Sequence, residues 1–480
     1  MENWLIKRAR ITPNRVAVAY GKEQLTFAEV ASAAQDMAGK IDQIQDGNQR
    51  VALIMTNSMT GYLIIMALQQ LGKTIVFINR RLAPEEINYQ LKDSGVTLVL
   101  TDDDYHDELL IKQQVKFSEL PENTVNIKSV TAFSDSFVTS IMYTSGTTSR
   151  PKGVMQTYQN HFYSAMGSAI NLGITSQDSW LAAVPIFHIS GFSIVMRGLI
   201  YGMRVVLVNK FDPKKINAML IHETITAMSV VPVMLKQLLA ELPEGTDYNS
   251  SFRAMLLGGG PTDQETLVKV KQHHLPVIQS YGMTETASQI VALAPSDIET
   301  KLDSVGKPLF PVSVAIRDRQ GQPAKFGNIW IQTPTLTVGY LNQPDKLANN
   351  MMNGWFNTED FGFFDDEGFL YIQGREGDMI SSGGENIFPD EIESVYSNMP
   401  GLNDIVVIGI KDETWGQIPV AVVTGNSLTS EALINFGKSK LAHYKVPKHF
   451  YEARTWHRTA SGKLQRRQFA NELSELTELN

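Results

Sequence analysis

Between about residue 50 and residue 280 the chain repeats one texture: short apolar runs rich in valine and isoleucine, separated by longer amphipathic segments. Val51-Ala52-Leu53-Ile54-Met55, Thr74-Ile75-Val76-Phe77-Ile78, Thr97-Leu98-Val99-Leu100, Arg204-Val205-Val206-Leu207-Val208 and Ala227-Met228-Ser229-Val230-Val231 read as strands buried on both faces. Residues 84–95 and 213–222 each open with proline, which suits the first turn of a helix. Repeated strand–helix–strand units predict an α/β fold, a mainly parallel sheet flanked by helices, with ligands at the carboxyl ends of its strands. From about 305 to 373 the runs shorten and Gly, Pro and Asp turns multiply, which predicts a β-rich subdomain. After Arg375 comes a last block of mixed helices and strands. The expected organisation is a large N-terminal domain over 1–374, a linker at 375–378 and a small α+β C-terminal domain over 379–480.

Composition narrows the function classes. A chain of 480 residues is too long for one core, so at least two domains are expected. The net charge of −8 and the lack of a basic block argue against nucleic acid as a partner. With no cysteine there is neither a disulfide nor a thiolate metal site. The start, Met1-Glu2-Asn3-Trp4-Leu5-Ile6-Lys7, lacks the apolar core of a signal peptide, and runs such as Tyr62–Leu68 are far short of a membrane span. The expectation is a cytoplasmic protein without membrane insertion; a homo-oligomer is allowed.

Seven segments carry candidate chemistry. Tyr143-Thr144-Ser145-Gly146-Thr147-Thr148-Ser149-Arg150-Pro151-Lys152-Gly153 follows an apolar strand, and its backbone N–H groups, hydroxyls and lysine suit a triphosphate. It is not a Walker A loop, since Lys152 is followed by Gly153 and another strand-like stretch. Pro185-Ile186-Phe187-His188-Ile189-Ser190-Gly191 sets a histidine where it could line a pocket; a lone histidine is also common in a satisfied core. Met255-Leu256-Leu257-Gly258-Gly259-Gly260-Pro261 runs into glycines that let a backbone approach a flat ligand, or simply turn. Gln279-Ser280-Tyr281-Gly282-Met283-Thr284-Glu285-Thr286 joins an aromatic face, fit to stack on a purine, to a hard carboxylate fit for Mg²⁺. Trp355-Phe356-Asn357-Thr358-Glu359-Asp360 ends in a carboxylate able to accept two hydroxyls, and Gln373-Gly374-Arg375 places an oxyanion-binding arginine shortly after it. Arg458-Thr459-Ala460-Ser461-Gly462-Lys463-Leu464-Gln465-Arg466 holds a lysine in a Ser-Gly-Lys turn, ordinarily a solvated charge.

In order and spacing these segments resemble the adenylate-forming enzymes, the family of acyl-CoA synthetases, luciferases and peptide-synthetase adenylation domains, over nearly the whole chain. The resemblance implies that Thr144, Ser145, Gly146, Thr147, Thr148 and Lys152 surround ATP phosphates. Gly258, Gly259, Gly260, Pro261, Ser280, Tyr281, Gly282 and Met283 would then surround the nucleotide, with Thr284 near the α-phosphate and Glu285 and Thr147 on Mg²⁺. It implies further that Asp360 accepts the ribose hydroxyls, that Arg375 contacts ribose and phosphate, and that His188 lies where acid and ATP meet. Lys463 matches the lysine bridging acyl carboxylate and α-phosphate, on a mobile cap that pivots at Gly377. Coenzyme A is the implied thiol, with Arg81, Ser382, Gly383, Gly384, Trp415 and Lys448 at its site. Two positions depart from the pattern: Glu359 and Ser149 stand where glycine is usual.

The stretches 156–165, 171–174 and 187–193 are similar to those of bacterial 2-succinylbenzoate–CoA ligases of menaquinone biosynthesis. That likeness makes the acid an aromatic carboxylate with a keto-acid arm, and makes His161, Ser164, His188, Ser193 and Ser288 candidates for its pocket. Two alternatives stand beside it: a ligase for another aryl or medium-chain acid, and a non-catalytic nucleotide-binding relative disabled by Glu359.

Overall fold

The computed structural model describes residues 1–144, 151–243, 245–318, 320–383, 385–453, 455–458 and 464–479, without the side chain of Asn386. Among these residues the strands form four sheets, of seven, nine, five and six strands. The seven-stranded sheet runs Gly339–Tyr340, Lys152–Thr157, Val138–Thr144, Thr74–Phe77, Arg50–Ile54, Leu98–Thr101, Gln113–Lys116. Its strands from Val138–Thr144 to Gln113–Lys116 pair in parallel, and the first two add on antiparallel. The apolar runs predicted as strands are strands, with bounds shifted by a residue or so, and helices Pro84–Ser94 and Pro213–His222 follow their prolines.

Why these runs lack polar alternation is visible in where successive side chains go. Val51, Leu53, Ile75 and Phe77 enter the main core, while Ala52, Ile54, Val76 and Ile78 enter a second core on the sheet's other face. The main core also takes in Leu181, Val205, Met228 and Met255 of the nine-stranded sheet, so the two sheets share it. Between them lies helix Met59–Gln70, with ten of its 12 residues buried, as expected of a helix that is apolar all round.

The nine-stranded sheet runs Lys307–Pro308, Ser288–Ala292, Val277–Met283, Ala254–Leu257, Ala227–Val230, Ser179–Ala182, Arg204–Leu207, Val16–Tyr20, Glu23–Thr26. The five-stranded sheet, from Ser313–Arg317 to Leu370–Arg375, is antiparallel and packs Ile329, Ile331, Phe356 and Leu370 against Ile290 and Val291 of the nine-stranded sheet. The six-stranded sheet lies wholly beyond residue 379 and has its own cores on both faces, Ile405, Val407, Ala421 and Val423 on one, Val406, Ile408, Val420 and Val422 on the other. Among the described residues no helix is long and apolar enough to cross a membrane.

Candidate active site

The carboxyl ends of the two large sheets meet. Thr144 closes strand Val138–Thr144 and pairs with Lys152 at the start of the next, while Thr284 and Glu285 follow directly on strand Val277–Met283 in a 3-10 turn. The Gln156 amide donates to the Thr284 carbonyl, joining one sheet to the other at this point. This is where a parallel α/β sheet is expected to hold ligands. Ser145, Gly146, Thr147, Thr148 and Ser149, between Thr144 and Lys152, lie outside the described residues, as do Gly384 and Lys463.

The glycine segment sits at the end of strand Ala254–Leu257. Ser280 Oγ donates to the Leu257 carbonyl at 2.9 Å, and a Cβ on Gly258 would lie 3.1 Å from that hydroxyl. Gly259 has φ +90°, a backbone region that suits glycine, and Gly259, Gly260 and Pro261 are exposed. Gly282 is required for another reason: a Cβ there would meet the Ser288 carbonyl oxygen at 2.2 Å, at the register break where Val277–Met283 pairs with Ser288–Ala292. Met283 ends that strand, and its amide donates to Thr286 Oγ1 at 3.1 Å.

Tyr281, Asp360 and Arg375 form one group. Asp360 and Arg375 face each other across strands Trp355–Phe364 and Leu370–Arg375, with Arg375 Nε 3.1 Å from Asp360 Oδ1. The Tyr281 hydroxyl donates to Asp360 Oδ2 at 2.6 Å. Burial, reinforced by Asp360, pushes the Tyr281 phenol well above its ordinary value, so it stays a donor; Asp360 raises the Arg375 guanidinium. A carboxylate set between an aromatic ring and a guanidinium is suited to a nucleoside's hydroxyls.

Glu285 belongs to a second group. Its Oε1 accepts the Tyr340 hydroxyl at 3.0 Å, its carbonyl accepts the Thr337 amide at 2.6 Å, and Lys152 Nζ lies 5.2 Å from the Tyr340 ring centre. Among the described residues no lysine or arginine forms an ion pair with Glu285 and no cluster of three metal-ligating side chains occurs. The carboxylate fits a magnesium ion whose other ligands are phosphate oxygens and water.

Of the candidates for the acid pocket, His161 and Ser164 lie on helix Tyr158–Leu172, Ser193 on helix Ile189–Tyr201 with His188 just before it, and Ser288 opens strand Ser288–Ala292. His188 caps the second helix with its ring 4.7 Å from Phe187. His161 is buried, its Nε2 3.2 Å from Ser140 Oγ; burial, then Arg197, lowers its pKa to about 3, so it is neutral. Ser164 Oγ donates to the Ala287 carbonyl at 3.1 Å and Ser193 Oγ to the Ser190 carbonyl at 3.0 Å. Arg197, which sequence reasoning missed, is central here. Its side chain is 1% exposed, its Nη2 donates to Ser288 Oγ at 3.1 Å and Gln289 Oε1 at 2.7 Å, and its guanidinium lies 5.2 Å from the Trp180 ring centre. No carboxylate among the described residues pairs with it. The signal was available: one charge within Phe192-Ser193-Ile194-Val195-Met196-Arg197-Gly198-Leu199. Tyr340 was missed too, and only the fold brings it to Glu285.

Four of the residues expected at the CoA site, Ser382, Gly383, Trp415 and Lys448, come together beyond residue 379. The Gly383 amide donates to the Trp415 carbonyl at 2.9 Å, and a Cβ on Gly383, at φ +58°, would lie 2.7 Å from the exposed Trp415 ring. Lys448 Nζ is 5.9 Å from that ring's centre, and Ser382 pairs with Gly416. Arg81 is exposed in the turn after strand Thr74–Phe77, its amide donating to Asn79 Oδ1 at 3.0 Å. Gly377 is the middle of a 3-10 turn, Glu376–Asp378.

Residues 5–341 match the AMP-binding enzyme family and residues 391–463 the AMP-binding enzyme C-terminal domain. A 2-succinylbenzoate--CoA ligase of Geobacillus sp. (strain WCH70) is 45% identical over 478 residues, 97% of this chain and 96% of the relative. The solved o-succinylbenzoate CoA synthetase of Bacillus subtilis, in complex with its acyl-adenylate intermediate, is 38% identical and aligns over 98% of both chains with a TM-score of 0.93. The same enzyme in complex with ATP and magnesium ion aligns with a TM-score of 0.92 at 38% identity, over 98% of this chain and 99% of that one.

Proposed function

This chain belongs to the AMP-binding enzyme family, and on that premise we propose that the two residue groups at its sheet ends serve ATP, the polar residues around Arg197 serve 2-succinylbenzoate, and the cluster at Trp415 serves coenzyme A. It is an AMP-forming acid–thiol ligase, a 2-succinylbenzoate–CoA ligase that uses ATP, Mg²⁺ and CoA and serves menaquinone biosynthesis. A cytoplasmic setting is part of the same reading.

The chemistry follows from what a carboxylate lacks, namely a leaving group. One substrate carboxylate oxygen attacks the α-phosphorus of ATP, the bond to pyrophosphate breaks, and an acyl-adenylate results. The thiol of CoA then attacks the acyl carbon, its proton is lost, and the C–O bond to AMP breaks. No covalent bond to the protein is needed, so the side chains position and offset charge. Tyr281 and Gly258–Gly260 hold the adenine, Asp360 takes the ribose hydroxyls, and Arg375 reaches ribose and phosphate from beside it. Lys152 and the hydroxyls of residues 144–148 receive the triphosphate, and Glu285, with Thr147, would hold the magnesium ion. When bound, that ion offsets negative charge on the phosphates. Thr284 and His188 lie toward the α-phosphate and acid, and Lys463 offsets the charge of the adenylation step. Trp415, Gly383 and Lys448 offer pantetheine and phosphates an aromatic face and a cation.

Arg197 is the observation that carries the choice of acid. An arginine this deeply buried is costly without an anion, and no carboxylate of the described protein supplies one. A substrate with a second carboxylate would, and 2-succinylbenzoate has two. Ser288 and Gln289 aim the guanidinium, while neutral His161, Ser164 and Ser193 add polar lining without adding charge. Replacing Arg197 by methionine removes the cation at similar volume. The expected outcome in a pyrophosphate-release assay is a KM for 2-succinylbenzoate raised on the order of 100-fold, as loss of a charged hydrogen bond implies. The analogue lacking the ring carboxylate should be nearly unaffected. Equal losses for both acids would remove Arg197 from the reading.

A further inference from the structure

The segment Thr337–Tyr340 ties together two parts of the site that are about 130 residues apart in sequence, roughly the span from Lys152 to Glu285. Thr337 Oγ1 donates to the Met155 carbonyl at 2.6 Å and its amide to the Glu285 carbonyl at 2.6 Å. Gly339 and Tyr340 then pair with Met155 and Val154, closing the edge of the seven-stranded sheet beside Lys152. Tyr340 itself is 5% exposed; its hydroxyl donates to Glu285 Oε1 at 3.0 Å and its ring faces Lys152 Nζ at 5.2 Å. One side chain thus touches both the carboxylate suited to a divalent cation and the lysine suited to phosphate. A buried hydroxyl of this kind usually has a structural partner, most often a main-chain carbonyl. Here the partner is a half-exposed carboxylate that forms no ion pair with a lysine or arginine of the described residues.

From this arrangement we propose that Tyr340 is a positioning residue for both charges of the nucleotide site: its hydroxyl holds Glu285 in the orientation that receives Mg²⁺, and its ring holds Lys152 toward the phosphates. The phenol leaves one carboxylate oxygen engaged and turns the other toward the cation, so the metal meets a ligand that does not first have to be ordered. The ring, an attractive surface for an ammonium group, restrains a lysine that otherwise has several rotatable bonds to fix.

The inference rests on the nucleotide reading above, and the two can be told apart by four variants studied as full-length protein. Tyr340→Phe removes only the hydroxyl, Tyr340→Leu removes the ring as well, and Glu285→Gln and Lys152→Met remove the charges themselves. Two quantities are read: ATP binding by calorimetry in EDTA, and the Mg²⁺ concentration giving half of the calorimetric ATP-affinity gain. For Tyr340→Phe the Mg²⁺ requirement should rise about 3- to 10-fold, with metal-free ATP binding unchanged, as expected for one lost hydrogen bond to a charged group. For Tyr340→Leu the metal-free ATP affinity should fall as well, in the direction of Lys152→Met. A Tyr340→Phe protein with the wild-type Mg²⁺ requirement overturns the proposal, and so does one in which metal-free and metal-dependent binding fall together. If Glu285→Gln leaves the Mg²⁺ requirement unchanged, the metal reading of Glu285 fails and takes the proposal with it. If Glu285→Gln shifts it and Tyr340→Phe does not, the nucleotide reading stands and only the role of Tyr340 falls.

Discussion

Glu359 holds its backbone at φ +63°, the left-handed region where a side chain costs energy and glycine does not. Glutamate, where the resemblance leads one to expect glycine, is therefore strained rather than accommodated by a changed backbone. Its amide donates to Asn357 Oδ1 at 2.9 Å, and its Oε1 accepts Asn350 Nδ2 at 3.2 Å, so two asparagines brace the position. Its carboxylate also acts on Lys346 and Tyr340, close to the phosphate side of the site. Glu359→Gly should stabilise the protein by about 1 kcal/mol and leave ATP affinity equal or better. Thermal unfolding and an ATP titration measure the two effects, and a large loss of affinity would mean that the glutamate has gained a favourable contact with nucleotide. Residues of this scale were unevenly legible in the sequence. Tyr281, Asp360 and Arg375 announced themselves through segments with fixed spacing, and the fold brings them within hydrogen-bond reach. Arg197 was marked only as a single charge in an apolar run and Tyr340 by nothing in its own segment, and what makes both notable is which distant groups they meet.

At the scale of elements, the strand Val277–Met283 and the turn after it decide the geometry of half the site, because Ser280, Tyr281, Thr284 and Glu285 succeed one another along it. The strand leaves its parallel neighbour and pairs antiparallel with Ser288–Ala292, and the close approach at Gly282 sets how far the turn projects. Gly282→Ala should therefore cost about 1–3 kcal/mol by overpacking and weaken ATP binding at least tenfold, because Tyr281 and Glu285 would shift together. Urea unfolding and ATP titration read the two effects; unaltered ATP affinity would show that the turn is positioned from its other end. The parallel strands themselves were legible as uninterrupted apolar runs because both their faces are covered. Their division into two sheets sharing one core was not, since parallel strands of either sheet carry the same signal. Nor was the antiparallel edge at Gly339–Tyr340, two residues long, visible as a strand.

For the whole molecule, the block beyond residue 379 has its own cores and is joined to the rest by a short connection, beside which Phe388 packs on Phe326 and Phe361. The Glu376 carboxylate accepts Asn328 Nδ2 at 3.0 Å, while Asp378 Oδ2 lies 3.8 Å from Arg466 Nε. Arg466 in turn donates to Glu393 Oε1 at 2.8 Å and Oε2 at 2.9 Å, three residues after Lys463. If that lysine serves adenylation alone, Lys463→Ala should reduce pyrophosphate release with 2-succinylbenzoate by on the order of 100-fold or more, while conversion of supplied acyl-adenylate to thioester by CoA stays near wild type. Parallel loss of both half-reactions would assign the lysine a different task. The connection at Gly377 has one more consequence. Its neighbours are tied to opposite bodies, Glu376 to Asn328 and Asp378 to Arg466, so if the C-terminal block swings there as the resemblance implies, the two torsion angles of one glycine would confine it to a narrow arc of orientations instead of a diffuse cloud, and so small a search would leave little entropy to lose on arrival.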